Sequence, residues 1–288
     1  MPQPIAPPPP IAKQVLTVSL ESTPYQAAYW EQGSGSPILF LHGFMGRSES
    51  WQPLVAHLAD HHRCICLDLL GCGESSKPMI RYDIAKLVAF VRGFVEAIGS
   101  HPGAIVGHSL GGWVAAAYTL NYPQSVNHLI LAAPAGIRDD SFCGRYDHLR
   151  PLLWQTPGVD AALWLMQPIA LLLRKNQDLQ TIRWIRRELN AQPAPRSFLL
   201  DRMRPEDAID TVEKEIHQLQ IPTLVITGDC DETIPLWHSQ TYADQIADAQ
   251  LVILPGAAHN LPQDYAPDLA THILPFLNAQ TTKSATSL

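Results

Sequence analysis

Hydrophobic and polar positions divide the chain into short apolar runs and longer amphipathic stretches. Ile38–Leu41, Cys64–Leu67, Ala104–Val106 and Val126–Ala132 are short and apolar or nearly so, as expected of strands buried on both faces of a parallel sheet. Between them, Trp51–Leu58, Tyr82–Ile98 and Leu110–Leu120 predict helices. The second stops at Gly99 and the third before Pro123. The alternation resumes with strands over Pro222–Thr227 and Gln250–Leu254 and helices over Leu236–Ile246 and Pro267–Leu277. Ahead of the first buried strand, Val15–Leu20 and Tyr25–Glu31 predict a hairpin turning at Ser22–Pro24. Strand–helix alternation of this kind predicts a parallel sheet with helices on both faces.

The alternation fails between Gly136 and Ile216. That segment is helical and Leu-rich, and it carries Trp154, Trp164 and Trp184. It is too long to be a bare loop, and the strands flanking it must share one sheet, so it predicts an inserted helical cap. The chain then divides into a disordered Pro-rich tail (1–14), an α/β core (15–135 and 217–279), the cap (136–216) and a C-terminal tail (280–288). The N-terminal prolines enforce an extended, solvated segment without the charged and apolar regions of a secretory signal. No run approaches the ~18 apolar residues that a transmembrane helix needs.

Composition narrows the class. The chain has 288 residues, 46% hydrophobic and 16% charged, which excludes disorder and fibre. Twenty basic against 27 acidic residues give −7, which offers no global attraction to nucleic acid or to an anionic membrane. The five cysteines, Cys64, Cys66, Cys72, Cys143 and Cys230, are odd in number and lack zinc-ligand spacing. They predict small buried thiols in a reducing, cytoplasmic compartment. The expected partner is a small-molecule substrate, with no nucleic acid, no metal and no cofactor; a homodimer stays open.

Candidate chemistry begins at Gly107-His108-Ser109-Leu110-Gly111, between a predicted strand and a predicted helix. A sharp strand-to-helix turn strains the central residue and leaves no room for side chains two positions either side. It lifts the Ser109 hydroxyl above the sheet edge and aims a helix N-terminus at the reacting centre.

On these residues the chain resembles the α/β-hydrolase superfamily, from about Val15 to Leu277. The resemblance implies a mostly parallel eight-stranded sheet with an inserted helical cap, and the chain order nucleophile, acid, histidine. The acid matches Asp231, in Gly228-Asp229-Cys230-Asp231-Glu232-Thr233-Ile234-Pro235, with Asp229 steadying the loop. A minority arrangement would place the acid at Asp139 or Asp140. The histidine matches His259, after Pro255-Gly256-Ala257-Ala258. Serine is a weak nucleophile and needs such a base, oriented by an acid. Leu41-His42-Gly43-Phe44-Met45-Gly46 resembles the family's oxyanion loop, which implies donors at the backbone N–H groups of Phe44 and Leu110. Gly43 permits close approach, and His42 fixes the loop or, alternatively, transfers a proton. His108 points away from Ser109, and Asp68 is structural.

For the substrate pocket the candidates are Met45, Trp113, Trp164 and Trp237, with Ala161–Leu173 as apolar lining or as the cap's own core. Arg174, Lys175, Arg183, Arg186 and Arg187 read as a solvated basic face, or as a site for an anionic substrate. The first functional expectation is a serine hydrolase that cleaves a carboxylic ester or related acyl bond of a small, largely apolar substrate. The same apparatus serves C–C hydrolases, lyases and haloperoxidase-like enzymes, and some proteins of this fold are non-catalytic ligand receptors. In the menaquinone-pathway lyase of the family an arginine follows the double glycine, whereas this chain has Trp113. Ser109 excludes the relatives that use a nucleophilic aspartate.

Overall fold

The computed structural model describes residues 11–142, 151–201 and 210–285. Residues 1–10 of the Pro-rich tail, Cys143 and the last residues of the C-terminal tail lie outside the described residues.

Eight strands form one sheet: β1 (Gln14–Leu20), β2 (Thr23–Gln32), β3 (Ser36–Leu41), β4 (His62–Leu67), β5 (Ala104–His108), β6 (His128–Ala132), β7 (Thr223–Gly228) and β8 (Ala249–Leu254). Their order is β1-β2-β4-β3-β5-β6-β7-β8. From β4 across to β8 all neighbours are parallel, while β1–β2 and β2–β4 are antiparallel. The β1–β2 hairpin closes one step earlier than the sequence suggests. Leu20 pairs with Thr23, and Pro24 already lies in the ladder opposite Ser19. Glu21 and Ser22 both take positive φ, 47° and 69°, which matches the twist of the flanking strands. Neither residue is Gly or Asn, so the local signal for this turn is weak.

The parallel strands are apolar on both faces because both faces are covered. Along β3, Leu39 and Leu41 join one buried cluster, with α2 (Ile84–Ile98) and α3 (Leu110–Asn121). Ile38 and Phe40 join the other, with α1 (Gln52–Leu58) and α10 (Ala266–Ala285). Helix α2 starts on an Asp83 cap that accepts from the Lys86 amide and ends on Gly99 at φ 65°. Helix α10 carries Pro275 inside it and runs to Ala285 rather than stopping at Leu277.

Between β6 and β7 the described residues form the α-helices α4 (Pro157–Leu165), α5 (Gln167–Leu172), α6 (Asn176–Ala191) and α7 (Pro193–Asp201). Two expectations fail here. Arg186 is not on a solvated face. It is buried, holds Asp160 through two nitrogens at 2.6 and 2.7 Å, and donates to the carbonyls of Leu152, Trp154 and Thr156. Ala161–Leu173 is neither pocket lining nor core for the most part. Leu163 and Ala170 are buried against Leu179, while Trp164, Leu165, Met166, Ile169 and Leu171–Leu173 are exposed.

Cys64, Cys66 and Cys72 are buried free thiols as expected, and burial pushes Cys64 up to about 12. Cys230 is exposed, because it sits in the loop after β7. Among the described residues no helix is long and apolar enough to cross a membrane.

Asp68, at the end of β4, gathers a buried network. It accepts from Lys13 Nζ at 2.6 Å, from the Ser48 amide at 2.7 Å and from the Glu74 amide at 2.8 Å. Burial pushes this carboxyl up. His42, Lys13 and the Glu74 amide outweigh burial and hold it below its usual range. A carboxyl depressed in the folded state stabilises above its unfolded pKa of ~3.9, and that contribution is lost as pH falls through the native value. Lys13→Met should therefore cost about 2–3 kcal/mol in urea unfolding at neutral pH, because it strands a buried carboxylate that keeps two amide donors. It should also move the acid unfolding midpoint to higher pH. An unchanged acid midpoint would contradict this account.

Candidate active site

Ser109 joins β5 to α3 with φ 53° and ψ −116°, a conformation costing a non-glycine residue on the order of 1–3 kcal/mol. Two glycines make it attainable. A Cβ at Gly107 would stand 2.3 Å from the Gly111 carbonyl oxygen, and one at Gly111 would stand 2.0 Å from that of Leu41. The turn is tied down by Ser109 N–H donating to the Ala132 carbonyl at 3.0 Å. Leu110 is the first residue of α3. The first N–H groups of a helix have no partner within it, so the Leu110 amide has no acceptor within α3.

His259 lies 3.0 Å from Ser109 Oγ through Nε2 and 2.7 Å from Asp231 Oδ2 through Nδ1. Nδ1–H donates to the carboxylate, which leaves Nε2 to accept from the serine hydroxyl. The other oxygen of Asp231, Oδ1, accepts from the amides of Thr233 and Ile234 at 2.8 and 2.9 Å. Burial pushes Asp231 up, but His259 and these two amides hold it below its ordinary value, so it stays ionised at neutral pH. The loops that carry His259 and Asp231 are stitched together. The Gly256 amide donates to Asp229 Oδ1 at 2.7 Å, and the Cys230 amide to the Ala257 carbonyl at 3.0 Å.

His108 turns its Nε2–H to the His259 carbonyl at 2.8 Å. Burial and the neighbouring His259 push it down to about 3, so it is a neutral support for the His259 loop. His42 is also buried and shifted down by that burial. Its Nε2 accepts from the Leu69 amide at 3.1 Å and its Nδ1–H donates to the Gly43 carbonyl at 2.8 Å. Both nitrogens are used in holding the loop after β3. That loop presses on the nucleophile: a Cβ at Gly43 would lie 3.2 Å from Ser109 Cβ. Asp139 does not reach His259 but sits 3.2 Å from His238 Nε2, and Asp140 pairs with Arg138 at 3.0 Å.

Ser109 opens into a cavity of about 430 Å³. Phe44, Met45, Leu110 and Trp113 line it from the core side, and Trp184, Ile185, Leu189, Phe198 and Leu199 from α6 and α7. Of the pocket candidates, Met45 and Trp113 are therefore in place. Trp164 and Trp237 are not. Trp164 lies in an outer groove with Arg183 and Arg187, and Trp237 packs against His238 with ring centroids 4.1 Å apart and the rings tilted by 58°. Trp184 was one of the tryptophans expected to offer apolar lining; Ile185 and Leu189 escaped the sequence reading, although their four-residue spacing on one helix was a usable signal. Thr233 and Ile234 also line the cavity, from the segment that supplies Asp231.

A tether joins α6 to the loop after β3. Glu188 Oε2 accepts from Arg47 Nη2 at 2.5 Å and from Gln192 Nε2 at 2.9 Å, and Gln192 Nε2 reaches the Met45 carbonyl at 3.4 Å.

Comparison with known proteins agrees with this fold. The family model described as alpha/beta hydrolase fold matches residues 36–155. A 2-hydroxy-6-oxo-6-(2'-aminophenyl)hexa-2,4-dienoic acid hydrolase of Metapseudomonas resinovorans is 26% identical over 267 residues, covering 90% of this chain and 91% of that protein. The 2-hydroxymuconate semialdehyde hydrolase of Pseudomonas sp. (strain CF600) is 29% identical over 265 residues, covering 86% and 88%. A thermophilic esterase from Thermogutta terrifontis superposes with a TM-score of 0.72 at 23% identity, covering 93% of this chain and 99% of that one. The chain has the α/β-hydrolase fold, and its residues 36–155 match the model of that family. The two relatives that align over most of this chain are both named as hydrolases.

The Glu188 tether is testable by stability. Glu188→Gln and Arg47→Met should each lose about 1–2 kcal/mol in urea unfolding. Their double mutant should lose less than the sum, since both remove one contact. Additive losses would show that the pair does not couple.

Proposed function

We propose that this protein is a serine hydrolase that cleaves an ester or related acyl bond of a small, largely apolar substrate through an acyl-enzyme. The observation that carries this reading is the relay Ser109–His259–Asp231, at 3.0 and 2.7 Å, opening into an apolar cavity. Ser109 Oγ attacks the carbonyl carbon while its proton passes to His259 Nε2. Asp231 holds the ring and stabilises the imidazolium. The amides of Phe44 and Leu110 receive the oxyanion. Collapse of the tetrahedral intermediate breaks the bond to the leaving group, which takes the proton from His259. Water then repeats the cycle on the acyl-enzyme and releases the acid.

A second reading is cleavage of a carbon–carbon bond in a dienoic acid, the kind of substrate named for the relative from Metapseudomonas resinovorans. The lining favours the first. Its described residues are mainly aromatic and aliphatic, which suits a neutral acyl or alcohol group better than a carboxylate. A reducing, cytoplasmic setting fits the three buried thiols.

Ser109→Ala should abolish turnover of p-nitrophenyl esters and labelling by a fluorophosphonate. Asp231→Asn should keep the fold and lower kcat by about 10³–10⁴-fold, through the wrong histidine tautomer. Full esterase activity in Ser109→Ala would overturn the assignment of the nucleophile. Rapid turnover of a hexa-2,4-dienoate with esters inert would move the assignment to the second reading.

A further inference from the structure

The most anomalous surface of the molecule lies on α4 and α5. Of the six residues of α5, Ala170 alone is buried. Trp164 is 70% exposed and Leu172 83%, and Leu165, Met166, Ile169 and Leu173 stand out beside them. Burying Leu and Met side chains is favourable, so leaving several of them in water side by side is costly. A contiguous apolar face of this kind on a soluble domain marks an interaction surface.

The rim of the face indicates the occupant. Residues 157–191 carry five cations (Arg174, Lys175, Arg183, Arg186, Arg187) against three anions (Asp160, Asp178, Glu188), in a chain whose net charge is −7. The three anions are already engaged: Asp160 by Arg186, Asp178 by Lys175 at 3.1 Å, and Glu188 by Arg47 at 2.5 Å. Arg183 is held by neutral acceptors, Gln167 Oε1 at 2.5 Å and the Leu163 carbonyl at 2.7 Å. Its charge is therefore fixed in place yet not neutralised by them. Arg183 and Arg187 line a groove with Trp164 and Asn190. Arg174, at φ 58°, closes the end of α5. An apolar face containing Trp and Leu, edged by guanidinium groups, is the composition of an element that lies in the plane of a bilayer interface.

We propose that the α4–α5 face docks on an anionic lipid bilayer. The apolar side chains enter the headgroup–acyl boundary, and Arg174, Arg183 and Arg187 meet lipid phosphates. Such docking lies on the membrane and does not span it. It also places the surface beside the cavity. Helix α6 gives Arg183 and Arg187 to the outer groove and Trp184, Ile185 and Leu189 to the cavity over Ser109, and Trp184 is itself half-exposed. An apolar acyl chain leaving the bilayer would meet that side of the cavity first.

The docking does not depend on the catalytic reading, so it is tested on Ser109→Ala as well as on the unaltered chain. The full chain is sedimented with vesicles of phosphatidylcholine alone and of phosphatidylcholine mixed with phosphatidylglycerol. Pelleting is expected with the mixed vesicles and should weaken as salt rises. Leu172→Ser/Leu173→Ser should abolish it. Arg183→Gln/Arg187→Gln should weaken it about 5-fold per cation removed. Circular dichroism and hydrolysis of a soluble ester should be unchanged in both double variants. No pelleting, or equal pelleting with and without phosphatidylglycerol, would overturn the proposal. So would a stable dimer in sedimentation equilibrium that Leu172→Ser/Leu173→Ser dissociates, because the face would then belong to a second copy.

Discussion

The site depends on one backbone constraint, the turn at Ser109. A residue with a side chain is held at φ 53° between a strand and a helix, and this is sustainable only because the surrounding backbone closes in on it. Gly107, Gly111 and Gly43 are the points of closure, where a Cβ would stand 2.3, 2.0 and 2.9 Å from a neighbouring atom. The strain is small beside the burial that supports it: β3, β5 and β6 are apolar on both faces and sit at the centre of the sheet. A rigid, doubly covered sheet keeps one hydroxyl in an unfavourable geometry, and that geometry brings the hydroxyl to the histidine.

The remaining chemistry is positioned by loops that brace one another. The loops of Asp231 and His259 share two hydrogen bonds. His108, next to the nucleophile in sequence, supports the His259 carbonyl. His42 spends both ring nitrogens on the backbone around it. Of the several histidines near the centre, His259 alone combines the Asp231 carboxylate on one nitrogen with the Ser109 hydroxyl on the other. Burial drives His42 and His108 down and keeps them uncharged, so neither competes electrostatically with the imidazolium that forms during turnover.

The helices between β6 and β7 contribute differently. Arg186 crosslinks α6 to α4 and to the chain before it, and Glu188 ties α6 to the loop that follows β3. One helix thus organises three surfaces: the cavity wall, the tether and the outer basic groove. Its neighbour α5 packs on α6 through Ala170, the one residue of α5 that is buried.

The architecture and the relay were legible in the sequence because both are local signals. Short doubly apolar runs announce a parallel sheet, and glycines flanking Ser109 announce the sharp turn. Asp231 and His259 were named through the resemblance of the segments after two strands to the family's motifs. The sheet order, the edge hairpin turn at Glu21–Ser22, the exposure of Cys230 and the lining of the cavity were not legible. These depend on which faces meet. Trp164, Trp184 and Trp237 are alike in sequence, yet packing sends Trp184 to the cavity and the other two elsewhere. The five cations from Arg174 to Arg187 are alike too, and tertiary structure buries Arg186 while leaving Arg187 in an open groove. Periodicity states that a side chain is apolar or charged. Only the fold states what stands opposite it.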